Sequence, residues 1–531
     1  MLIQMMNILK KEHKNLNGKT IVLAILCSLY FSIVTTLSIV GNVEFVIIIG
    51  SILWLEFYVI SIYFLNKIEI NTERISQYST DDREKIIKIF SACFVIIMLG
   101  QLLYWFAYFP GGFNLDAYGQ WDQVHGLSHL NNWHPVFTTF IYWLLTRIID
   151  NLAFCIFIQI LAFVISVAYL MCELYRIGIS KRYLVIVSVL IALNPAIGMN
   201  NICLIKDTWF TIIIVWIFIS TIKIYASKGK WLCEKKHLIV MMTEFLALLL
   251  IRHNACFFVI PFIVLLCVLY RKVVFQLFIT SICILISFLA IEGPLFSCLK
   301  IEPHSNMVGE SVGIPMSIMA NALVNDSQNV PKNVRNFLLE IADYNEWEKN
   351  YVVGEWDSCK WEFGGTELLK GESLEKIANL TLETMVSCPE TSYLSIKENT
   401  RVVWQVIGYS EWDTWVYIED NDYQIVPNES KICKKIVNAI LECGDSLIGS
   451  TLIWNIGAVI ILLMIGLSIA FKMGNYTLSI FVLPVLAYNF LTMLLLCGPS
   501  HRYFYFNSVL VLPIMLLLLK KKGALAKEKS R

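Results

Sequence analysis

The sequence predicts an all-α polytopic membrane protein, and two observations carry that prediction. Apolar residues make up 57% of the 531-residue chain and charged residues only 16%, with a mean hydropathy of +0.65. That leaves too little polar surface for a soluble chain of this size. In addition, apolar runs of about 17–22 residues, long enough to cross a hydrocarbon core of about 30 Å, recur along the chain. The net charge of +1 gives no footprint for a nucleic-acid partner, so none is expected. The 15 cysteines lie mostly in apolar runs, where they act as small hydrophobes.

About 12 runs qualify as spans: 20–40, 44–65, 89–109, 151–172, 183–193 with its extension, 208–222, 237–251, 255–270, 273–291, 451–471, 476–497 and 503–519. The basic N-terminal stretch lacks a small-residue cleavage site, so the first run reads as a retained span. One run, 134–148, is short and ends at Arg147. If it lies along the outer interface instead of crossing, 26 of the 42 Lys and Arg residues fall on the inner side, including the C-terminal "KKKGALAKEKSR". If it crosses, every later loop inverts. The positive-inside rule therefore makes it an interfacial helix, with both termini cytoplasmic and the loop before it outside. Glu56 and Glu244, inside apolar runs, are expected to form interhelical hydrogen bonds.

The chain divides into an N-terminal segment with three spans (1–108), an outer loop with the interfacial helix (109–150), a transmembrane core (151–292), an outer soluble domain (293–450) and the last spans with a basic tail (451–531). The soluble domain holds 24 of the 41 acidic residues against 12 basic ones. Apolar spacing predicts helices through Leu338, Leu339 and Ile341, and through Leu374, Ile377, Leu380, Leu382 and Met385. Between them, "YNEWEKNYVVGEWDSCKWEFGG" reads as a loop whose Trp and Tyr rings could stack on the sugars of an acceptor. Its five cysteines, an odd number, exclude complete internal pairing.

The chemistry gathers on the outer side. In 109–135, "FPGGFNLDAYGQWDQVHGLSHLNNWHP", the PGG should turn the chain. Asp116, Gln120 and Gln123 then fall on one helical face and Asp122 on another. A carboxylate there can serve as general base, and Asp116 is the candidate, with a helix N-cap as its plainer alternative. His134 precedes Pro135 at the start of the interfacial run. His125 and His129 stand four apart without a further ligand set, so no metal site is expected from them. Lys206, Arg252 and Arg502 break the positive-inside pattern at short outer turns. Snorkelling explains any one of them, but three on the face that carries Asp116 suit an anionic phosphate or pyrophosphate.

The segments "NLDAYGQWDQ" and "NWHPVFTTFIYWLL" resemble the acidic motif and the His-Pro-Pro motif of GT-C glycosyltransferases, which include protein O-mannosyltransferases and aminoarabinose transferases. With "NPAIGMNNICLIKDTWF", "IRHNA" and "SHRYFY" they are also similar to a large bacterial family of uncharacterised GT-C-like membrane proteins. The pattern differs in two places: Ala117 follows Asp116 where a second acid is common, and Val136 replaces the second Pro.

The resemblance implies a GT-C-like bundle, a polyprenyl-phosphate-linked sugar as donor and a cell-envelope glycan, glycolipid or protein as acceptor, within membrane lipid. Asp116 would be the catalytic base. Lys206, Asp207, Arg252 and Arg502 would line the donor phosphate site, and Gln120, Asp122, Gln123 and His134 would support the acceptor or the loop. It is compatible with a divalent cation beside Asp116. A transporter or flippase of a lipid-linked or anionic saccharide is the rival reading, since about 12 spans suit that class too.

Overall fold

The computed structural model describes residues 16–39, 43–67, 83–113, 115–303, 307–408, 418, 421 and 423–519. It is almost entirely helical, as expected for an all-α polytopic membrane protein. Among the described residues, eight helices are long and apolar enough to cross a membrane, or ten if each of two bent pairs is one span. This is fewer than the twelve expected from hydropathy. The runs at 237–251, 255–270 and 451–471 form helices of 17, 14 and 17 residues, short of the roughly 20 that an upright span needs.

The order begins with α1 (Gly18–Ile39), α2 (Val43–Lys67) and α3 (Arg83–Ala107), then a two-residue strand β1 (Gly112–Phe113) and α4 (Leu115–His125). Next come α5 (Val136–Thr146), α6 (Leu152–Arg176), α7 (Lys181–Leu193) and α8 (Pro195–Asn201). The expected span at 183–193 is one arm of this last pair, bent by 60°. An Asn-Pro dipeptide causes the break: the Asn194 side chain accepts from the backbone N–H of Ile197, and Pro195 opens the new helix. Strand β2 (Cys203–Leu204) leads into α9 (Lys206–Ala226), α10 (Lys235–Ile251), α11 (Cys256–Leu269) and α12 (Val274–Ala290). In α9, Ser220 donates to Glu244 of α10 at 2.8 Å, the interhelical bond expected of that glutamate.

The inserted segment contains α13 (Gly313–Asn325), α14 (Lys332–Ile341), α15 (Tyr344–Asn350), α16 (Asp357–Phe363), α17 (Leu374–Ser387) and α18 (Pro389–Trp404). Helices α14 and α17 appear where the spacing puts them. The stretch read as loop instead holds α15 and α16, because Trp347 and Trp356 are fully buried and tertiary packing overrides weak local propensity. A separate core runs from Val312 to Cys388, whereas Val402, Val403, Val437 and Leu441 pack into the main bundle. The last elements are α19 (Lys431–Asp445), α20 (Leu447–Ile453), α21 (Ile456–Lys472), α22 (Leu483–Met493) and α23 (Phe506–Leu518). None of the 15 cysteines is in a disulfide.

Candidate functional site

Asp116 and Lys206 lie 90 residues apart, and the strands bring them together. β1 pairs with β2 in parallel, Gly112 with Cys203 and Phe113 with Leu204. Asp116 follows that ladder by three residues and Lys206 by two. Gly111 makes the approach possible: its φ is +104°, and a Cβ there would lie 2.7 Å from the Ile202 carbonyl oxygen. On the other side, the buried Gln159 amide of α6 donates to the carbonyls of Asn201 at 3.0 Å and Cys203 at 2.8 Å.

Asp116 is the second residue of α4, inside its first turn, where the helix dipole favours an anion. The plainer N-cap role therefore does not describe it. Lys206 Nζ donates to Asp116 Oδ2 at 3.1 Å, and Arg502 Nη1 donates to the same oxygen at 3.0 Å. Oδ1 faces His134 Nε2 at 3.7 Å, too long for a hydrogen bond. Lys206 Nζ also lies 2.9 Å from His134 Nδ1. Burial alone would raise the Asp116 pKa, but Arg502, Lys206 and His134 outweigh it and hold the carboxyl well below the usual range. Burial and the Lys206 ammonium push His134 down to about 3, so its imidazole is neutral at physiological pH. An ammonium donating to Nδ1 then assigns the ring proton to Nε2, on the Asp116 side.

The other expected residues sort by position. Gln120 is buried and donates to Thr139 at 3.1 Å, tying α4 to α5. Gln123 is also buried. Asp122 points elsewhere and accepts from the Tyr423 hydroxyl at 2.6 Å. Asp207 and Arg252 do not hold a phosphate site open. They form an ion pair with each other, with side chains only 1% and 3% exposed. Arg252 also lies over the Tyr503 ring, 4.5 Å from its centroid, with Arg502 over the same ring at 5.2 Å. Arg252, expected at the donor phosphate, here has Asp207 as the counterion that a charge this deep needs.

Several contributors escaped the sequence. The turn after α10 is a hub: His253 Nε2 lies 3.2 Å from the Asn132 carbonyl, and Asn254 donates to Tyr488 and Thr492 of α22 at 3.2 and 3.0 Å. "IRHNA" stood out in the sequence through Arg252 alone. The inserted segment brings Glu310, Asp357 and Lys360 to the edge of the cluster. Lys360 donates to Glu310 at 2.6 Å and lies 3.7 Å from Asp357. Trp133, next to His134, donates its indole N–H to Glu310 at 3.3 Å. Burial raises the Asp357 pKa, against the lowering effect of Lys360. Among the described residues, no three His, Cys, Asp or Glu side chains converge on one point. With Asp116 Oδ2 already on two cations, the cluster does not fit a protein-held divalent ion.

A family of unknown function (DUF6020) matches residues 125–362, less than half of the chain. The match takes in His134, Lys206, Asp207, Arg252, Glu310 and Lys360, and leaves Asp116 and Arg502 outside. No curated protein and no solved structure matches this chain.

Proposed function

We propose that this protein is a GT-C-type glycosyltransferase that moves a sugar from a polyprenyl-phosphate donor to an acceptor hydroxyl on the outer face of the cell membrane. One observation supports this reading above the others: a single Asp116 oxygen is shared by Lys206 and Arg502, cations far apart in the chain, beside a neutral histidine. As it stands Asp116 is a weak base, since two cations stabilise its charged form. A donor phosphate would compete for those same cations with stronger, charge-assisted bonds. As Lys206 and Arg502 turn to the phosphate, burial dominates and Asp116 becomes more basic. The site is thus armed by its donor.

In the reaction, the acceptor O–H proton passes to the Asp116 carboxylate as the acceptor oxygen attacks the anomeric carbon. The new C–O bond forms while the bond from that carbon to the phosphate oxygen breaks, with inversion. Polyprenyl phosphate leaves as an anion held by Lys206 and Arg502, the preorganised electrostatics that usually dominate such transfers. Arg252, paired with Asp207, covers the Tyr503 ring that Arg502 also covers and so backs the site. His134 faces Asp116 with Nε2 at 3.7 Å and accepts from Lys206 at Nδ1, which helps to place the ammonium. No step uses a metal ion.

The rival transporter reading has one observation in its favour, the helix pair α7–α8 broken near the buried Asn200 and Asn201. The test is to incubate the purified protein in sealed proteoliposomes with radiolabelled polyprenyl-phosphate sugars and a membrane-glycan extract. Release of polyprenyl phosphate, abolished in Asp116→Asn, supports the transferase. Translocation of the intact donor without release supports the transporter.

A further inference from the structure

We propose that Trp361 and Trp133 form a saccharide-binding platform at the mouth of the Asp116 cluster, with Glu310 and Asp357 as the hydroxyl-binding groups beside it. This inference rests on the transferase reading and names its acceptor class, a glycan rather than a protein side chain.

The argument begins with which tryptophans are available. Of the aromatic stretch in the inserted segment, Trp347 and Trp356 are fully buried and hold its core. Trp361 is 51% exposed. A half-exposed indole forfeits much of the gain of burial, yet this one is fixed on several sides. Its ring lies edge-to-face on Trp133, centroids 5.5 Å apart. The Lys360 ammonium sits 4.8 Å from its centroid. Gly365, in the left-handed region at φ +58°, lies so close that a Cβ there would be 3.2 Å from the ring. The aromatic surface is rigid before any ligand arrives, so little ordering entropy is lost on stacking.

Its surroundings match a pyranose. A sugar ring has an apolar C–H face, which suits an indole, and a rim of hydroxyls, which suits carboxylates as paired acceptors. Glu310 accepts from both Trp133 and Lys360, so its position is set from two sides. Asp357, with 49% of its side chain exposed, lies 3.7 Å from the Lys360 ammonium. Both carboxylates lie beside the buried Lys360 ammonium, Glu310 at 2.6 Å and Asp357 at 3.7 Å, which fixes where a sugar hydroxyl would meet them.

The platform is continuous with the reacting groups. The Trp133 and His134 rings lie tilted against each other, 4.3 Å between centroids, and His134 faces Asp116. The backbone N–H of Trp356 donates to the Cys497 carbonyl at 2.6 Å, which anchors the start of α16 five residues before Arg502. A glycan stacked on Trp361 would therefore present its terminal residue toward Asp116.

The test uses full-length protein in nanodiscs on a printed array of hexose, hexosamine and uronic-acid oligosaccharides. Wild type should bind a discrete set. Trp361→Ala should bind that set about tenfold more weakly or worse, Trp361→Phe should retain part of the affinity, and Trp143→Ala, which changes an exposed tryptophan on α5, should match wild type. Unchanged melting of Trp361→Ala and Trp361→Phe excludes misfolding as the cause. Glycan binding that ignores Trp361, or no glycan binding by wild type, overturns the platform. The donor-release assay stays separate. Release of polyprenyl phosphate without Trp361-dependent glycan binding leaves the transferase standing and removes the platform. Trp361-dependent binding without release from any donor does the reverse.

Discussion

At the scale of single residues, the effect of losing a charge is set by the partner it leaves behind. Lys206, Arg252 and Arg502 were legible because each breaks the positive-inside pattern. Which carboxylate each one meets was not, since Asp116 and Asp207 are equally acidic in a one-dimensional reading and their partners lie 45 to 386 residues away. The pairings change what substitutions should do. Asp116→Asn removes both the base and the competitor for the two cations. Transfer should fall by about 10²–10⁴-fold, while polyprenyl monophosphate should bind roughly tenfold more tightly, because Lys206 and Arg502 no longer need to leave a carboxylate. Tracer binding in nanodiscs measures the second effect, and unchanged or weaker binding would refute the arming mechanism. Arg252→Ala should behave differently from Lys206→Ala. It leaves Asp207 charged and almost wholly buried, a loss of about 3–5 kcal/mol of stability, and its donor affinity should fall only as the fold does. Lys206→Ala should weaken phosphate binding with little change in melting. Thermal unfolding beside phosphate binding separates the two.

At the scale of elements, periodicity found α14 and α17, where one apolar face repeats every three or four residues, and hydropathy found the short apolar run that forms α5. It missed α15 and α16, whose seven residues each are too few to show a period, and it missed the breaks that shorten several spans. The α7–α8 break matters most, because α8 carries Asn201 and leads to β2 and Lys206. It packs against α3 through Gly198, where an added Cβ would lie 2.4 Å from the Tyr104 ring. Tyr104 is fully buried and donates to the Leu193 carbonyl at 2.8 Å, so the ring is tied in place. Gly198→Ala should therefore overpack this joint and cost about 1–3 kcal/mol. Gly119→Ala, one turn from Asp116 in α4, meets nothing within 4 Å and should be neutral or stabilising, by up to about 1 kcal/mol. Melting of the two variants tests this, and an equal response would mean that the joint is slack. Gly198→Ala should also reduce transfer, since displacing α8 moves the ladder that aligns Lys206 with Asp116.

At the scale of the whole molecule, the all-helical membrane architecture was legible from composition alone, because no arrangement of so apolar a chain exposes it to water. The inserted segment was legible as polar, but its division was not. Its own core ends at Cys388, and residues beyond Val402 join the bundle, since apolar residues at helical spacing do not say which neighbour they face. Charge gives an expected orientation. The turn between α6 and α7 carries Arg176, Lys181 and Arg182, while the cluster at Asp116 neighbours Glu310 and Asp357 of the acidic insertion. If the basic turn is cytoplasmic, as the positive-inside rule expects, the insertion and the cluster share the outer face, and cysteine labelling tests this. A single cysteine at Glu348, on the exposed surface of α15, should react with an impermeant maleimide in intact cells, in a background lacking the native cysteines. One at Lys181 should react only after permeabilisation. The reverse pattern would put Asp116 and its cations on the cytoplasmic face, where soluble nucleotide sugars are at hand, and the case for a lipid-phosphate donor would fall with the topology.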